Sequence, residues 1–129
     1  MEKDRKKIAP TKPHALKPGD TVGVVSAAAA VEKEALDRGL ELVRSIGFQA
    51  RVSKHVLDRD DILAGSDRRR ADELQAFFAD PDIRAILVAR GGYGSGRILP
   101  LLDFEAIALT PILGFRDDVA VRVRATRWY

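Results

Sequence analysis

The fold is decided by one stretch, Ala85-Ile86-Leu87-Val88-Ala89-Arg90-Gly91-Gly92-Tyr93-Gly94-Ser95-Gly96-Arg97-Ile98-Leu99-Pro100-Leu101-Leu102-Asp103. Its apolar start, residues 85–89, predicts a buried strand because turn signals bound it on both sides. The glycines that follow allow positive φ angles and a close approach to a ligand. We predict that Ser95 caps a short helix from Gly96 to Leu102, which Pro100 kinks or shortens. This layout aims backbone N–H groups at one point and favours a bound anion or a developing oxyanion; the alternative is a tight turn without a ligand.

Common glycine and serine motifs do not describe this stretch. Gly92 and Gly94 start the pattern G-x-G-x-x-G, but Arg97 occupies the place of its last glycine, and no lysine follows to form a Walker loop. Ser95 is not a G-x-S-x-G nucleophile, because Tyr93 stands where the first glycine belongs. Dinucleotide binding, P-loop chemistry and the nucleophile elbow are therefore disfavoured.

The flanking sequence predicts strands and helices in alternation. The strands are Thr21–Ala27, Phe48–Ser53 (with Phe48, Ala50 and Val52 facing inward) and Pro111–Gly114. The helices are Val31–Ile46, with Leu36, Leu40 and Val43 on its apolar face, and Asp67–Ala79, with Ala71, Leu74 and Phe78. Gly47 follows the first helix at C′, and Ser66 caps the second. The fold class is α/β, an open parallel sheet flanked by helices, in which ligands bind beyond the carboxyl ends of the strands.

Composition and charge indicate one globular domain. The chain has 129 residues, of which 46% are hydrophobic and 32% charged, and it has no cysteine. The formal net charge of +3 resides in the ends: residues 1–13 contribute +3 and residues 116–129 contribute +2, whereas residues 14–115 carry −2. A nucleic-acid-binding domain more often carries its basic residues on a folded face, so this function is disfavoured. Residues 1–13 form neither a signal peptide nor a membrane span, and we predict a disordered lead-in and a cytoplasmic protein without a membrane partner.

The central stretch also resembles a known family. Arg-Gly-Gly-Tyr-Gly-x-x-Arg-x-Leu-x-x-Leu-Asp is similar to the signature of the LD-carboxypeptidases, the muramoyltetrapeptide carboxypeptidases and the microcin C immunity peptidases. The resemblance begins at Pro18-Gly19-Asp20 and ends at Pro111-Ile112-Leu113-Gly114-Phe115. Between them it includes Ala64-Gly65-Ser66, Arg70 and Phe78-Ala79-Asp80-Pro81. It implies the N-terminal half of a two-domain enzyme.

The resemblance implies a serine peptidase of peptidoglycan recycling. Such an enzyme cuts an L,D-amide and releases terminal D-alanine from a murein tetrapeptide, with a Ser-His-Glu triad and with no metal or cofactor. The family's nucleophile lies in a Gly-[Tyr/Phe]-Ser-Asp turn, but here Arg116 occupies the serine position, and a guanidinium is not a nucleophile. The family's Glu and His come from a C-terminal domain. His14 and His55 match neither, and we interpret both as surface residues.

The same resemblance assigns roles to the glycine stretch. The amides of Gly91 or Gly92 and of Asp117 are similar to the family's oxyanion-hole donors. Tyr93 is either a pocket wall or a packed aromatic. The candidates that orient a substrate carboxylate are Arg90 and Arg97; the alternative is that each pairs with Asp103 or Glu105. Family members carry a Pro-Ser pair near Ala27 and Ala28, where this chain has alanines, so no serine is present here to make that contact.

Two further segments differ in composition from the rest of the chain. The acidic loop Asp58–Asp61 lacks the spacing of a calcium loop, so we interpret it as solvated rather than metal-binding. The arginine-rich tail, residues 116–129, departs from the family pattern, which suggests a frameshift or a truncated reading frame. The predicted domains are therefore a lead-in (1–13), a family-like α/β domain (14–115) and an aberrant tail (116–129).

Three functions follow in order of preference. The first is an LD-carboxypeptidase-like serine peptidase, inactive as this chain alone, whose partner is a murein peptide or a related small peptide. The second is a non-catalytic module that binds a muropeptide or another carboxylate at the glycine turn. The third is a nucleic-acid binder with a basic tail. If a C-terminal domain normally covers this chain, an apolar patch is exposed without it, and we expect self-association or a homodimer.

Overall fold

A computed structural model describes residues 13–108 and 113–115 of the chain. In chain order the elements are β1 (Thr21–Val25), α1 (Lys33–Ser45), β2 (Gln49–Val52), α2 (Asp67–Ala79), β3 (Ile83–Val88), α3 (Ser95–Ile98), a 3₁₀ turn (Leu99–Leu101), α4 (Phe104–Ala108) and β4 (Leu113–Phe115). Within these ranges no helix is long and apolar enough to cross a bilayer. The alternation of strands and helices confirms the predicted α/β class.

The four strands form one parallel sheet in the order β2-β1-β3-β4. β1 pairs with β2 from Thr21 opposite Gln49, and with β3 as far as Val25 opposite Val88. The Ala89 N–H extends the second ladder by donating to the Val25 carbonyl at 2.9 Å. The chain leaves β1 toward β2 on one side and later returns to β3 on the other. The crevice of the sheet is therefore at the carboxyl ends of β1 and β3.

The core lies on both faces of the sheet, because successive residues of β1 point to opposite faces. Val24 packs with the buried residues of α1, and Val25 packs with those of α2. Gly23 faces α2 so closely that a Cβ atom there would lie 2.7 Å from Cδ2 of Phe77. The predicted apolar faces of both helices are buried: Leu36, Leu40, Val43, Ala71, Leu74 and Phe78. The apolar spacing thus identified the inward side of each helix correctly.

Most boundaries agree with the predictions to within two residues. α2 has the predicted bounds, and the Ser66 hydroxyl caps it by accepting from the Arg69 N–H at 3.2 Å. Gly47 follows α1 at C′ with φ +101°. α1 begins two residues later than predicted, because Glu32 has an extended backbone. Residues 111–112 of the predicted fourth strand lie outside the described residues, and Leu113–Phe115 pairs with β3.

The predictions for β2 and for the segment after the glycines need correction. Ser53 alternates with the inward Val52 in the predicted strand and should face outward, but it is 5% exposed, because β2 ends at Val52 and the alternation ends with it. Its hydroxyl finds no hydrogen-bond partner within the described residues. The predicted helix Gly96 to Leu102 is instead α3, which ends at Ile98, followed by a 3₁₀ turn that contains Pro100. Proline lacks an N–H group, so the α-helical ladder cannot pass through it. The sequence patterns predict no helix at α4, Phe104–Ala108.

Candidate functional site

The glycine turn, Arg90 to Gly94, lies where a parallel sheet binds its ligands. It follows β3 directly, next to the end of β1, at the point where the strand order reverses. The β1 segment beyond Val25 is close by, since the Ala89 N–H still donates to β1. The predicted position beyond the carboxyl ends of the strands is therefore confirmed.

Two glycines of this turn have positive φ, but the space around their Cβ positions differs. Gly92 has φ +111°, and a Cβ atom there would meet no heavy atom within 4 Å. Gly94 has φ +114°, and its Cβ would lie 2.6 Å from Cδ2 of Leu63 and 3.1 Å from Nη1 of Arg70. The turn thus needs glycine at both positions for its dihedral angles, and at Gly94 also for space.

The N-cap of α3 is Gly94 and not Ser95, which corrects the prediction. Ser95 is the first residue of the helix, so its side chain does not occupy the capping position. The chain turns through the left-handed Gly94, so the helix starts one residue earlier than the serine-cap pattern predicts. Among residues 13–108 and 113–115, no base is hydrogen-bonded to Ser95.

Backbone N–H groups are the donors that this turn offers. Gly91 is buried and Gly92 is half-buried, and neither N–H donates to an acceptor in residues 13–108 or 113–115. Buried N–H groups are almost always paired in proteins, so the Gly91 N–H without a partner in the described structure is unusual, and the half-buried Gly92 N–H lies next to it. They have the character required for binding an anion or a developing oxyanion.

A buried arginine stands behind the turn. Arg70, on the first turns of α2, is 1% exposed, and its Nη1 donates to the carbonyls of Ala27 and Gly94, both at 2.9 Å. Its Nε donates to the Gly65 carbonyl at 3.2 Å, and its Nη2 pairs with Asp67. The guanidinium therefore joins the end of β1, the start of α2 and the glycine turn.

Arg97 and Arg90 have partners other than those proposed from the sequence. Arg97 binds Oδ2 of Asp67 through Nε at 3.1 Å and Nη2 at 3.0 Å, and this carboxylate raises the pKa of Arg97 above its ordinary value. Nη1 of Arg90 donates to the Ala30 carbonyl at 3.1 Å. Neither arginine pairs with Asp103, whose carboxylate accepts from the Ala106 N–H, nor with Glu105. The sequence could not indicate Asp67 as the partner of Arg97, because the two residues lie on different elements.

Tyr93 is 67% exposed, so of its two predicted environments the packed aromatic is wrong. The adjacent Gly92 is half-buried and Gly94 is buried, whereas the Tyr93 ring projects from the turn into solvent. This position is compatible with the wall of a larger pocket. The structure brings Tyr93 close to Arg97, and the phenol contributes, after Asp67, to the raised pKa of Arg97.

The acidic loop is tied to α2. Asp58 pairs with Nη1 of Arg69 at 2.5 Å, and its other carboxylate oxygen is 3.6 Å from Nδ1 of His55. The hydrogen bond from Arg69 holds the pKa of Asp58 below its ordinary value, and His55 adds to this effect. The His55 side chain is 32% exposed, so it is half-buried rather than on the open surface. No cluster of His, Cys, Asp or Glu in the described ranges is arranged to hold a metal ion.

The alanine run after β1 is largely buried and pairs with the loop before α2. Ala28 is fully buried, and its carbonyl accepts from the Ala64 N–H at 2.9 Å. The Ala30 N–H donates to the Ile62 carbonyl at 2.9 Å, so the run pairs with the loop before α2. Where the resemblance implies a serine, this chain has a packed alanine.

Arg116 and Asp117 lie outside the described residues, as do the tail and residues 1–12 of the lead-in. The predicted roles of Arg116 and Asp117 therefore remain sequence-based. Sequence reasoning missed the roles of Arg70 and Asp67. The sequence contained an indication of this pair. Arg70 lies four residues before Leu74, in line with the apolar stripe of α2, and Asp67 lies three residues before Arg70.

Comparison with known proteins agrees with this geometry. Residues 22–125 match the family model described as the LD-carboxypeptidase N-terminal domain. A putative carboxypeptidase of Streptomyces coelicolor is 44% identical over 116 residues, covering 85% of this chain and 37% of that protein. The probable murein peptide carboxypeptidase of Bacillus subtilis is 38% identical over 108 residues, covering 82% of this chain and 34% of that protein.

Solved structures show the same likeness. The microcin C7 self-immunity protein MccF in its wild-type apo state superposes with a TM-score of 0.76 at 31% identity, over 81% of this chain and 32% of that one. The chain thus spans about a third of the length of the relatives that it matches.

Proposed function

Because the chain belongs to the LD-carboxypeptidase family, we propose that it supplies the N-terminal part of a serine peptidase that cleaves an L,D-amide. The proposed substrate is a murein tetrapeptide or a related small peptide, which loses its terminal D-alanine in the cytoplasm during peptidoglycan recycling. The observation that carries this proposal is the pair of N–H groups of Gly91 and Gly92, which have no acceptor in the described structure and lie at the crevice of the sheet. The relatives named as carboxypeptidases favour this function over a non-catalytic binding module.

The glycine amides would stabilise negative charge in the transition state. When a nucleophile attacks the scissile carbonyl, its oxygen becomes an oxyanion, and N–H donors held in place beforehand stabilise it without reorganisation. Gly92 can approach a substrate closely, because nothing within 4 Å occupies the space of its absent side chain. Asp117 is the further proposed donor.

Arg90 is the better candidate for orienting the substrate carboxylate. It uses Nη1 to bind Ala30 and remains exposed, whereas Arg97 commits both Nε and Nη2 to Asp67. A guanidinium anchored on one side can still present a fork of donors to a carboxylate on the other. We therefore assign Arg90 to the substrate and Arg97 to the protein framework.

The chain alone should not perform the reaction. Arg116 occupies the position that the family resemblance gives to the nucleophile, and the implied Glu and His are not among its matching residues. Triad members act as a unit, so losing one of them costs nearly as much rate as losing all. Self-association stays part of the proposal, since Tyr93 and Phe104 are exposed aromatic residues close to this site in the sequence.

A hybrid enzyme tests the function. Residues 13–115 of this chain replace the matching region of the Bacillus subtilis relative, and two versions differ only at position 116, with Arg or Ser. Release of D-alanine from murein tetrapeptide is followed by chromatography. We expect release by the Ser version, and none above background by the Arg version or by the unmodified 129-residue chain.

Two results would contradict this proposal. The first is a folded Ser hybrid without activity. The second is D-alanine release by the unmodified chain that disappears on Ser95→Ala, which would make Ser95 the nucleophile.

A further inference from the structure

We propose that Arg70 is a positioning residue, whose buried guanidinium fixes the glycine turn against the end of β1 and thereby sets where the Gly91 and Gly92 amides point. The inference rests on the proposed function, because the direction of these amides matters to the reaction only if they bind the oxyanion. Arg70 itself lies behind the turn and needs no contact with substrate.

The donors of Arg70 are almost fully used by loops around the crevice. Nε–H bonds to the Gly65 carbonyl, and the two N–H groups of Nη1 divide between Ala27 and Gly94. Nη2 pairs with Asp67, which neutralises a charge that would otherwise be costly to bury. Three of the four partners are backbone carbonyls, so the side chain fixes main-chain positions and not merely another side chain.

Gly94 is the point at which this network holds the turn. Its carbonyl accepts from Nη1 of Arg70 at 2.9 Å and from the Arg97 N–H at 3.2 Å. Its missing Cβ leaves the space that Nη1 occupies, since a Cβ would lie 3.1 Å from that nitrogen. Arg97 also binds Oδ2 of Asp67, the other oxygen of the carboxylate that holds Arg70. Asp67, Arg70 and Arg97 therefore form one hydrogen-bonded network around Gly94, the last residue of the turn.

A lysine could not replace this arginine. The guanidinium is a rigid planar fork whose donors diverge toward acceptors on separate segments, whereas an ammonium donates from a single nitrogen. Arg70→Lys therefore keeps the charge next to Asp67 but cannot hold Gly65, Ala27 and Gly94 together. Arg69 provides a matched control, because it is adjacent on α2, also pairs with an aspartate, and is 48% exposed.

The test uses the full 129-residue chain, labelled with ¹⁵N and ¹³C and observed by NMR. In the wild type, Arg70 Nε–H should give a slowly exchanging signal, and this signal should show coupling to the Gly65 carbonyl. In Arg70→Lys, the Arg97 amide, which donates to Gly94, should exchange at least about tenfold faster, while the Val24 amide in the central strand keeps its rate. The Gly91 and Gly92 amide resonances should shift. Arg69→Lys should change none of these.

Each outcome decides the proposal. An Arg70→Lys chain in which the Arg97 amide keeps its rate, or in which all amides accelerate equally, would overturn it in favour of general stabilisation. If the variant does not fold, the wild-type measurement decides, because an unprotected Arg70 Nε–H is incompatible with the proposed role. None of these readouts uses peptidase activity. An inactive Ser hybrid would therefore refute the proposed function and leave the positioning result intact.

Discussion

Alanine substitutions at three glycines separate two contributions to the unfolding free energy, the cost of a strained backbone dihedral and the cost of close packing. Gly94→Ala places a methyl group 2.6 Å from Cδ2 of Leu63 at a φ of +114°. Gly92→Ala has nearly the same φ, +111°, but open space around the Cβ. Gly96→Ala also meets no atom within 4 Å, and Gly96 lies in helix α3 without a positive φ. Gly94→Ala therefore carries both the dihedral cost and the packing cost, Gly92→Ala carries the dihedral cost alone, and Gly96→Ala carries neither.

The expected free energies follow from these environments. The strained dihedral costs about 1–3 kcal/mol for a residue with a Cβ. Crowding at Gly94 adds up to about 3 kcal/mol, because the Leu63 methyl group can shift but Nη1 of Arg70, 3.1 Å away, is held by its hydrogen bonds. Gly96→Ala should be neutral or stabilise by up to about 1 kcal/mol, because alanine loses less backbone entropy on folding. The predicted order of unfolding free energies is Gly96→Ala highest, then Gly92→Ala, with Gly94→Ala lowest.

The assay is urea denaturation followed by far-ultraviolet circular dichroism, with the unfolding free energy taken by linear extrapolation at a common slope. Equal stability of Gly94→Ala and Gly92→Ala would show that no close packing surrounds position 94. Equal stability of Gly92→Ala and Gly96→Ala would show that the positive φ at Gly92 carries no cost. Either result would refute the turn geometry on which the oxyanion proposal depends.

Three further outcomes are expected. Ile86→Ala, at a position 2% exposed in the central sheet, should lower the unfolding free energy by about 2–5 kcal/mol in urea, and a loss below 1 kcal/mol would contradict its place in the core. Ser66→Ala removes the cap of α2 and should cost about 1 kcal/mol, whereas Ser66→Gly should cost a few tenths. The Asp58 pKa is lowered from 3.8 by Arg69, so its contribution is fully present above that pH and is lost as pH falls through the folded value. Acid titration of stability should therefore be shallower below pH 3.8 in Asp58→Asn than in wild type, and identical curves would count against the ion pair.

Local sequence patterns were sufficient for the elements and for their inward faces. The apolar spacing of Leu36 and Leu40, the Ser66 cap and the C′ glycine Gly47 each act within a few residues, so their effects are visible in the sequence. The glycine stretch likewise indicated its own position beyond the end of a strand. The family resemblance added the expected chemistry, and the match over residues 22–125 confirmed the family.

Only the tertiary structure decided which long-range partners hold the site. Arg97 binds Asp67, thirty residues away, and Arg70 binds the carbonyl of Ala27, forty-three residues away, because the sheet brings their elements to one edge. The sequence gives no distance between such groups, since a charged residue finds its partner in space and not along the chain. The N-cap of α3 at Gly94 was decided in the same way, by the packing of Leu63 and Arg70 around a glycine. Local propensity determined which segments are helices and strands, and packing at the strand ends determined which atoms the site presents.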